Sequence, residues 1–401
     1  MKKSRSLKQL IGISIANAIV LLLVCYFADN WRFSILTGPS VGQRVEQARE
    51  VAGFAEDRVP DDYVFVNTAY DRELVEVYDE YGFPEGEIDI TDRGKLATFL
   101  SKLEGAHKYV MLDVILSNRF RSESDSLLTA VILEGERIGI AYSSADSLLD
   151  KRLQEKAGYT EYSTDIYETN FVKYEFLKDN GPTLPYLAYL SENPDDKIAS
   201  FGPFHFRNGR LSWRSLTLRM PVKLWNNTRP VEETMMQEKV IYNLGTDILE
   251  MGIDIPALVK DKTVVIGDFR ENDIHDTYLG KIAGPVININ ALEALKGNEL
   301  EIPWWLIATL LAVYTVVTFL AVMPRSYNKL INRRLQKLIP KNKFFRFVLS
   351  LAGYTAVFTI LAVIIYLSAG IDINVMIPSV WFTLISTVKN YRQDKFKQYV
   401  I

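Results

Sequence analysis

The chain has 401 residues, 46 Lys+Arg against 49 Asp+Glu, a net charge of −3 and 48% hydrophobic residues. That balance excludes a basic nucleic-acid-binding protein. One cysteine excludes an internal disulfide framework.

The amino end carries Lys2, Lys3, Arg5 and Lys8, then an uncharged run from Leu10 to Phe27. At ~1.5 Å per residue this run reaches about 27 Å, close to a bilayer core. No small-x-small site follows it, and Val24 stands before Cys25 where a lipoprotein signal needs a small residue. The run therefore reads as an uncleaved signal anchor.

A polar stretch, residues 28–302, follows. After Pro39, the residues Val41, Val45, Ala48 and Ala52 form one apolar helical face. Tyr63–Asn67 reads as a strand. Leu96, Phe99, Leu100 and Leu103 recur at helical spacing, and Lys108–Leu116 reads as a strand buried on both faces. Strand, helix and buried strand define a parallel crossover unit. Arg137–Tyr142 and Thr263–Ile266 supply further strands. Asn208-Gly209 between apolar runs predicts a hairpin within Phe204–Leu218. Tyr159–Pro185 lacks periodicity and receives no assignment. Pro285 opens a helix with Ile289, Leu292 and Leu295 on one side, ended by Gly297-Asn298. The stretch is expected to be an α/β domain with a mostly parallel sheet and an antiparallel addition.

Pro303–Met323 and Phe347–Ala369 are two more uncharged spans, and Ile373–Val388, interrupted by Pro378, is a shorter fourth, with a re-entrant or interfacial segment as the alternative. Ala369-Gly370-Ile371-Asp372 is too small to be other than a tight turn. The loop 324–346 carries eight basic residues and no acid, and the tail 389–401 carries Lys389, Arg392, Lys395 and Lys397 against Asp394. With four spans, all three basic pieces share one side, as the positive-inside rule asks. They sum to about +15, leaving the polar stretch near −17. Residues 1–9, 324–346 and 389–401 are thus expected in the cytoplasm of a bacterial cell, and 28–302 in the periplasm. Little foldable chain remains inside to act as an enzyme.

Strand ends in a parallel α/β sheet are where ligand crevices lie. Asn67, Asp113 and Gly267-Asp268 occupy such ends, and the loop onward contains Asp273, His275 and Asp276. Asn67, Asp113, Asp268, Asp273, His275 and Asp276 are therefore the candidate ligand-binding residues, for a cation or a polar molecule. The alternative is a solvated loop whose acids cap neighbouring backbone. No helical His-x-x-x-His or paired-Cys spacing supports a metal, and no cofactor is implied. No G-x-S-x-G elbow or phosphate-cradling glycine loop supports catalysis, so a non-enzyme is expected, with a periplasmic hydrolase near Asp113 and His275 as the alternative. His107 and His205 read as structural, and Asn226-Asn227-Thr228 as a bare glycosylation sequon. In the 324–346 loop, Tyr327, Leu330, Ile331, Leu335, Leu338 and Ile339 lie opposite Lys329, Arg333, Arg334 and Lys337. Such a basic amphipathic helix fits an anionic membrane surface or a docking site for an effector.

Several segments together resemble the second type of CHASE domain, the sensory domain associated with cyclases and histidine kinases. They are Thr91-Asp92-Arg93-Gly94-Lys95-Leu96-Ala97, Tyr109–Leu116, Asp261–Gly267, Asp276–Gly280, Gly284-Pro285 and Asn288–Leu292. One span before the domain and three after it are also that family's layout. Tyr278 stands where the family usually has proline, and Asn67 where an acid often closes the first strand. The resemblance implies an extracytoplasmic sensor passing a signal across the membrane. Members usually continue into an output domain, and none follows here, so a separate cytoplasmic effector is expected. Membrane lipids, an unidentified small ligand or periplasmic protein, and a second copy of the chain complete the expected partners; nucleic acid is not one. The alternative is a non-catalytic scaffold of a membrane or envelope complex.

Overall fold

The computed structural model describes residues 7–30, 40–54, 61–78, 81, 83–117, 120–143, 149–160, 162–164, 171–178, 181–222, 224, 241–270, 272–323 and 343–398. The sequon 226–228 and the basic residues Lys329, Arg333, Arg334 and Lys337 lie outside them. The chain divides into two compact units. One comprises residues 1–48, 200–213 and 301–401, the other 49–199 and 214–300.

The second unit is built on one six-stranded sheet. Its order is Ile241–Asn243, Tyr63–Asn67, Thr263–Gly267, Tyr109–Asp113, Ile138–Tyr142, Ala157–Tyr159. Every neighbouring pair is parallel. The expected antiparallel addition takes the form of separate ribbons, such as Arg72–Tyr78 with Pro84–Thr91 and Ile274–Thr277 with Gly280–Ala283. The parallel sheet needs cover on both faces, and side-chain alternation supplies it. Val64, Val66, Val110, Leu112, Ile138, Ile140, Val264 and Ile266 face one layer, packed with Leu96, Phe99, Leu128, Ile132 and Ile255. Tyr63, Phe65, Tyr109, Met111, Ala141 and Val265 face the other, with Leu184, Ala188, Val286, Ile289 and Leu292.

Helix Arg93–Ser101 begins where expected because the Asp92 carboxylate accepts from the Lys95 N–H. The strand expected over Lys108–Leu116 spans only Tyr109–Asp113, because its neighbour Thr263–Gly267 ends opposite Asp113 and offers no further ladder. Helix Gly284–Lys296 is not the one-sided element expected. All but Glu293 and Lys296 are buried, so it is a core helix of the domain.

In the first unit, Leu7–Asp29, Trp304–Val322 and Phe344–Ala369 are long and apolar enough to cross a membrane. The expected fourth span is part of a helix, Met376–Gln398, that these three do not include; its second half from Lys389 is charged. This helix packs with the others around Phe382, Phe358 and Tyr314. Asn17 ties three helices by donating to Thr318 Oγ1 at 2.9 Å and accepting from Trp381 Nε1 at 3.1 Å. Hydrogen bonds of this kind join helices where apolar packing offers no preference over lipid. At one end Asn374 donates to Asp29; at the other Lys389 Nζ donates to the Ala321 and Met323 carbonyls that end the Trp304–Val322 helix.

Helix Val41–Val51 starts with a reciprocal cap. Ser40 Oγ accepts from Gln43 N–H and Gln43 Oε1 accepts from Ser40 N–H. The expected apolar face is not the buried one: Ala48 is exposed, and Gly42 and Gln43 are buried instead. The Gly42 N–H donates to Asp372, and a Cβ at Gly42 would lie 2.5 Å from the Tyr366 ring. Only glycine allows this approach.

Candidate functional site

The site follows from which way the chain leaves each strand. From Tyr63–Asn67 and from Tyr109–Asp113 it crosses to the face covered by helices Arg93–Ser101 and Asp125–Glu134. From Thr263–Gly267, which lies between those two strands, it crosses to the opposite face and helix Gly284–Lys296. Neighbouring chain exits thus diverge at the carboxyl end of the sheet, a topological switch point of the kind where α/β domains hold ligands. Gly267 is required there: a Cβ would meet Pro285 Cγ at 2.5 Å and the Asp113 carbonyl at 3.2 Å.

Asn67, Asp113 and Asp268 are all brought to this end, in two adjoining networks. In the first, Asn67 Oδ1 accepts from the Ala69 and Phe269 N–H groups, each at 3.2 Å, while its amide donates to Asn243 at 3.0 Å. Asp268 accepts from Arg72 at 2.7 Å, from the Arg270 N–H at 2.8 Å and from Asn272. Beside them the Asp71 carboxylate accepts from Lys95 Nζ at 2.7 Å and the Gly245 N–H at 3.0 Å. These carboxylates have cationic or N–H donors matched to their charge.

Asp113 has a poorer environment. Its oxygen accepts from Asn288 Nδ2 at 2.7 Å, and Asn288 Oδ1 accepts from the buried Tyr174 hydroxyl at 2.8 Å. Burial, and then the nearby Asp273 charge, push the Asp113 carboxyl well above the ordinary range; the Asn288 bond opposes them. Such a shift at a strand end marks a functional-site candidate. The residue is partly exposed at the strand end, while its carboxyl is held in a buried setting.

Asp273 and His275 continue this second network. His275 Nε2 lies 2.7 Å from Asp273 Oδ1, and Nδ1 lies 2.5 Å from the Tyr162 hydroxyl. A neutral ring holding its proton on Nε2 donates to the carboxylate and accepts from Tyr162. Burial and the charges of Asp273 and Asp276 raise the Tyr162 pKa, keeping the phenol protonated as that donor. Asp276 itself is exposed, opposite Lys281 in the Ile274–Thr277 and Gly280–Ala283 ribbon. It shapes the field at Tyr162 rather than lining the Asp113 cluster.

Asn288, Tyr174, Tyr162, Arg72 and Asn243 were not among the residues expected at the site. Asn288 was detectable in principle, as an amide that, like Asn290, interrupts the apolar run of its helix. The tyrosines and Asn243 carry no such local signal. Among the described residues, no three His, Cys, Asp or Glu side chains form a metal-holding group. His107 is buried with Nε2 3.2 Å from the Glu136 carbonyl, and burial lowers its pKa.

Comparison of the chain with family models, curated proteins and solved structures finds no match. The class defined by fold and composition is therefore a parallel α/β domain in a chain that, among the described residues, has three helices long and apolar enough to cross a membrane.

Proposed function

We propose that this chain is a membrane-anchored receptor of the bacterial cytoplasmic membrane. Its sheet domain faces the periplasm and passes a ligand or partner signal to a separate cytoplasmic effector. The CHASE-type resemblance points the same way, on its motifs alone. The basic termini and loop 324–346 lie inside by charge. Four crossings satisfy that rule. The bonds from Asn374 to Asp29 and from Lys389 to Ala321 and Met323 favour the fourth, since they join this helix to opposite ends of the apolar bundle.

The observation that carries the receptor reading is Asp113. Its buried carboxyl shares a switch-point site with Asp273 and is met by the uncharged Asn288 amide at 2.7 Å. A small cationic ligand would offset the Asp273 charge, favour ionised Asp113 with release of its proton to solvent, and bridge helix Gly284–Lys296 to the sheet; a hydroxyl-bearing ligand would instead hydrogen-bond to the protonated carboxyl. That helix leads through Gly297-Asn298 into the Trp304 span, giving binding a covalent path to the membrane. Loop residues Lys329, Arg333, Arg334 and Lys337 are the proposed inner contact, with anionic lipid or with the effector.

A thermal-shift screen of the full chain in nanodiscs, using amines, inorganic cations and polyols, tests this reading. A compound that raises Tm in the wild type and loses the effect in Asp113→Asn supports it. Stabilisation that persists unchanged in the variant excludes Asp113 as the binding group. The scaffold reading draws on the matched bonding of Asn67 and Asp268, which need no ligand. It predicts stabilisation only by protein partners.

A further inference from the structure

We infer that the hairpin within residues 200–213 is a membrane-interface element whose open end, opposite its Asn208-Gly209 turn, inserts Phe201 into the lipid headgroup layer. The inference rests on the membrane-anchored reading of this unit. Asn208-Gly209 makes the turn predicted from sequence, with both residues at positive φ, joining Phe204–Arg207 to Arg210–Ser212. This hairpin belongs to the same compact unit as the apolar helices.

It is bonded to both chain segments that mark one end of the spans. The Tyr26 hydroxyl, one turn before Leu7–Asp29 ends, donates to the Ser212 carbonyl at 3.2 Å and accepts from the His205 N–H at 2.9 Å. The Ile302 N–H donates to the Leu211 carbonyl at 2.9 Å, and Glu301 forms a β-bridge with Ser212, just before the Trp304 helix begins. Rings join the same level: Phe204 and Trp213 stack on Tyr26, and Phe204 packs on Phe27. The hairpin therefore sits where polar chain meets apolar helix.

What its outer surface offers is aromatic. Phe201, at the Gly202-Pro203 turn, is 80% exposed, and Trp304 at the first position of its helix is 79% exposed. Trp and Tyr concentrate at the boundary between headgroups and hydrocarbon because an amphipathic ring suits both. The Gly202-Pro203 turn sets Phe201 beside Phe204, whose ring stacks on Tyr26 and packs on Phe27 at the end of the Leu7–Asp29 helix, and this continuity with the apolar bundle commits the Phe201 face to lipid. Arg207, fully buried within the unit, keeps its charge away from this face, while Arg210 pairs with Glu301 at 3.0 Å. The hairpin would then fix the height of the chain at the bilayer surface.

The test uses the full chain with Cys25→Ser, carrying one nitroxide at Phe201→Cys, Trp304→Cys or Leu74→Cys. The protein is reconstituted in phosphatidylcholine–phosphatidylglycerol vesicles, and spin relaxation by oxygen and by a water-soluble nickel chelate is measured. Leu74 is 70% exposed on the sheet domain and serves as the aqueous control. The expected result is a label at 201 that loses most nickel accessibility relative to 74 and matches 304 in oxygen accessibility. Nickel accessibility equal to that at 74 would overturn the proposal, and shielding from both reagents would assign Phe201 to a protein contact instead. If the label at 304 is also open to nickel, the spans themselves are wrong, a failure separate from that of the hairpin.

Discussion

Replacing Asp113 by asparagine raises the melting temperature of the protein at neutral pH and leaves it little changed below about pH 4. The sign follows from linkage. Burial and the nearby Asp273 charge put the folded Asp113 pKa above its unfolded value. Between those two values the native state binds the extra proton, so stability falls as pH rises through that window. Above it, ionised Asp113 burdens the fold. Asparagine keeps an oxygen to accept from Asn288 and removes the charge. Each kcal/mol released is worth roughly 2–4 °C in a domain of this size. Asp113→Ala separates the two effects, because it also removes the acceptor of the Asn288 amide, at about 1–3 kcal/mol. Melting curves of both variants from pH 4 to 8 check the account. An Asp113→Asn curve parallel to wild type across that range would show that the carboxyl is not held in its protonated form.

The second large effect is expected at Asn290. Its side chain accepts from the Val222 N–H at 2.9 Å and donates to the Val222 carbonyl at 3.0 Å, with both residues buried. This one amide satisfies both polar groups of a residue that packs on the sheet. Asn290→Leu is close in volume, yet it strands a buried donor and acceptor, each worth about 1–3 kcal/mol when unpaired. A loss of roughly 2–5 kcal/mol is therefore expected. Chemical denaturation followed by circular dichroism measures it. A loss below about 1 kcal/mol would mean that the 218–222 segment repairs its bonding elsewhere.

These two residues also mark where sequence reading stops. The strands Tyr63–Asn67 and Thr263–Gly267 and the hairpin at Asn208-Gly209 were legible because buried runs and turn dipeptides are local signals. Strand order was not. That Thr263–Gly267 inserts between two strands formed far earlier in the chain is set by non-local packing, and no window of sequence contains it. The switch point could therefore be placed at strand ends but not drawn. Asn67, Asp113 and Asp268 were correctly expected at those ends because strand termini are local. Their division into a neutralised network and an unneutralised one depends on Arg72, Asn288 and Tyr174, brought in from elsewhere. The burial of helix Gly284–Lys296 was missed for a similar reason. Its periodicity marked one apolar side, while segments such as 218–222, with no periodicity of their own, cover another.

The sidedness of the sheet domain is the claim on which the receptor reading turns. It is tested most directly with Gln154→Cys in a Cys25→Ser background, since Gln154 is exposed on the turn before the outermost strand. A membrane-impermeant maleimide applied to intact cells with a permeable outer membrane should label this cysteine fully. Labelling only after the cytoplasmic membrane is broken would place the acidic sheet domain inside the cell and contradict the account.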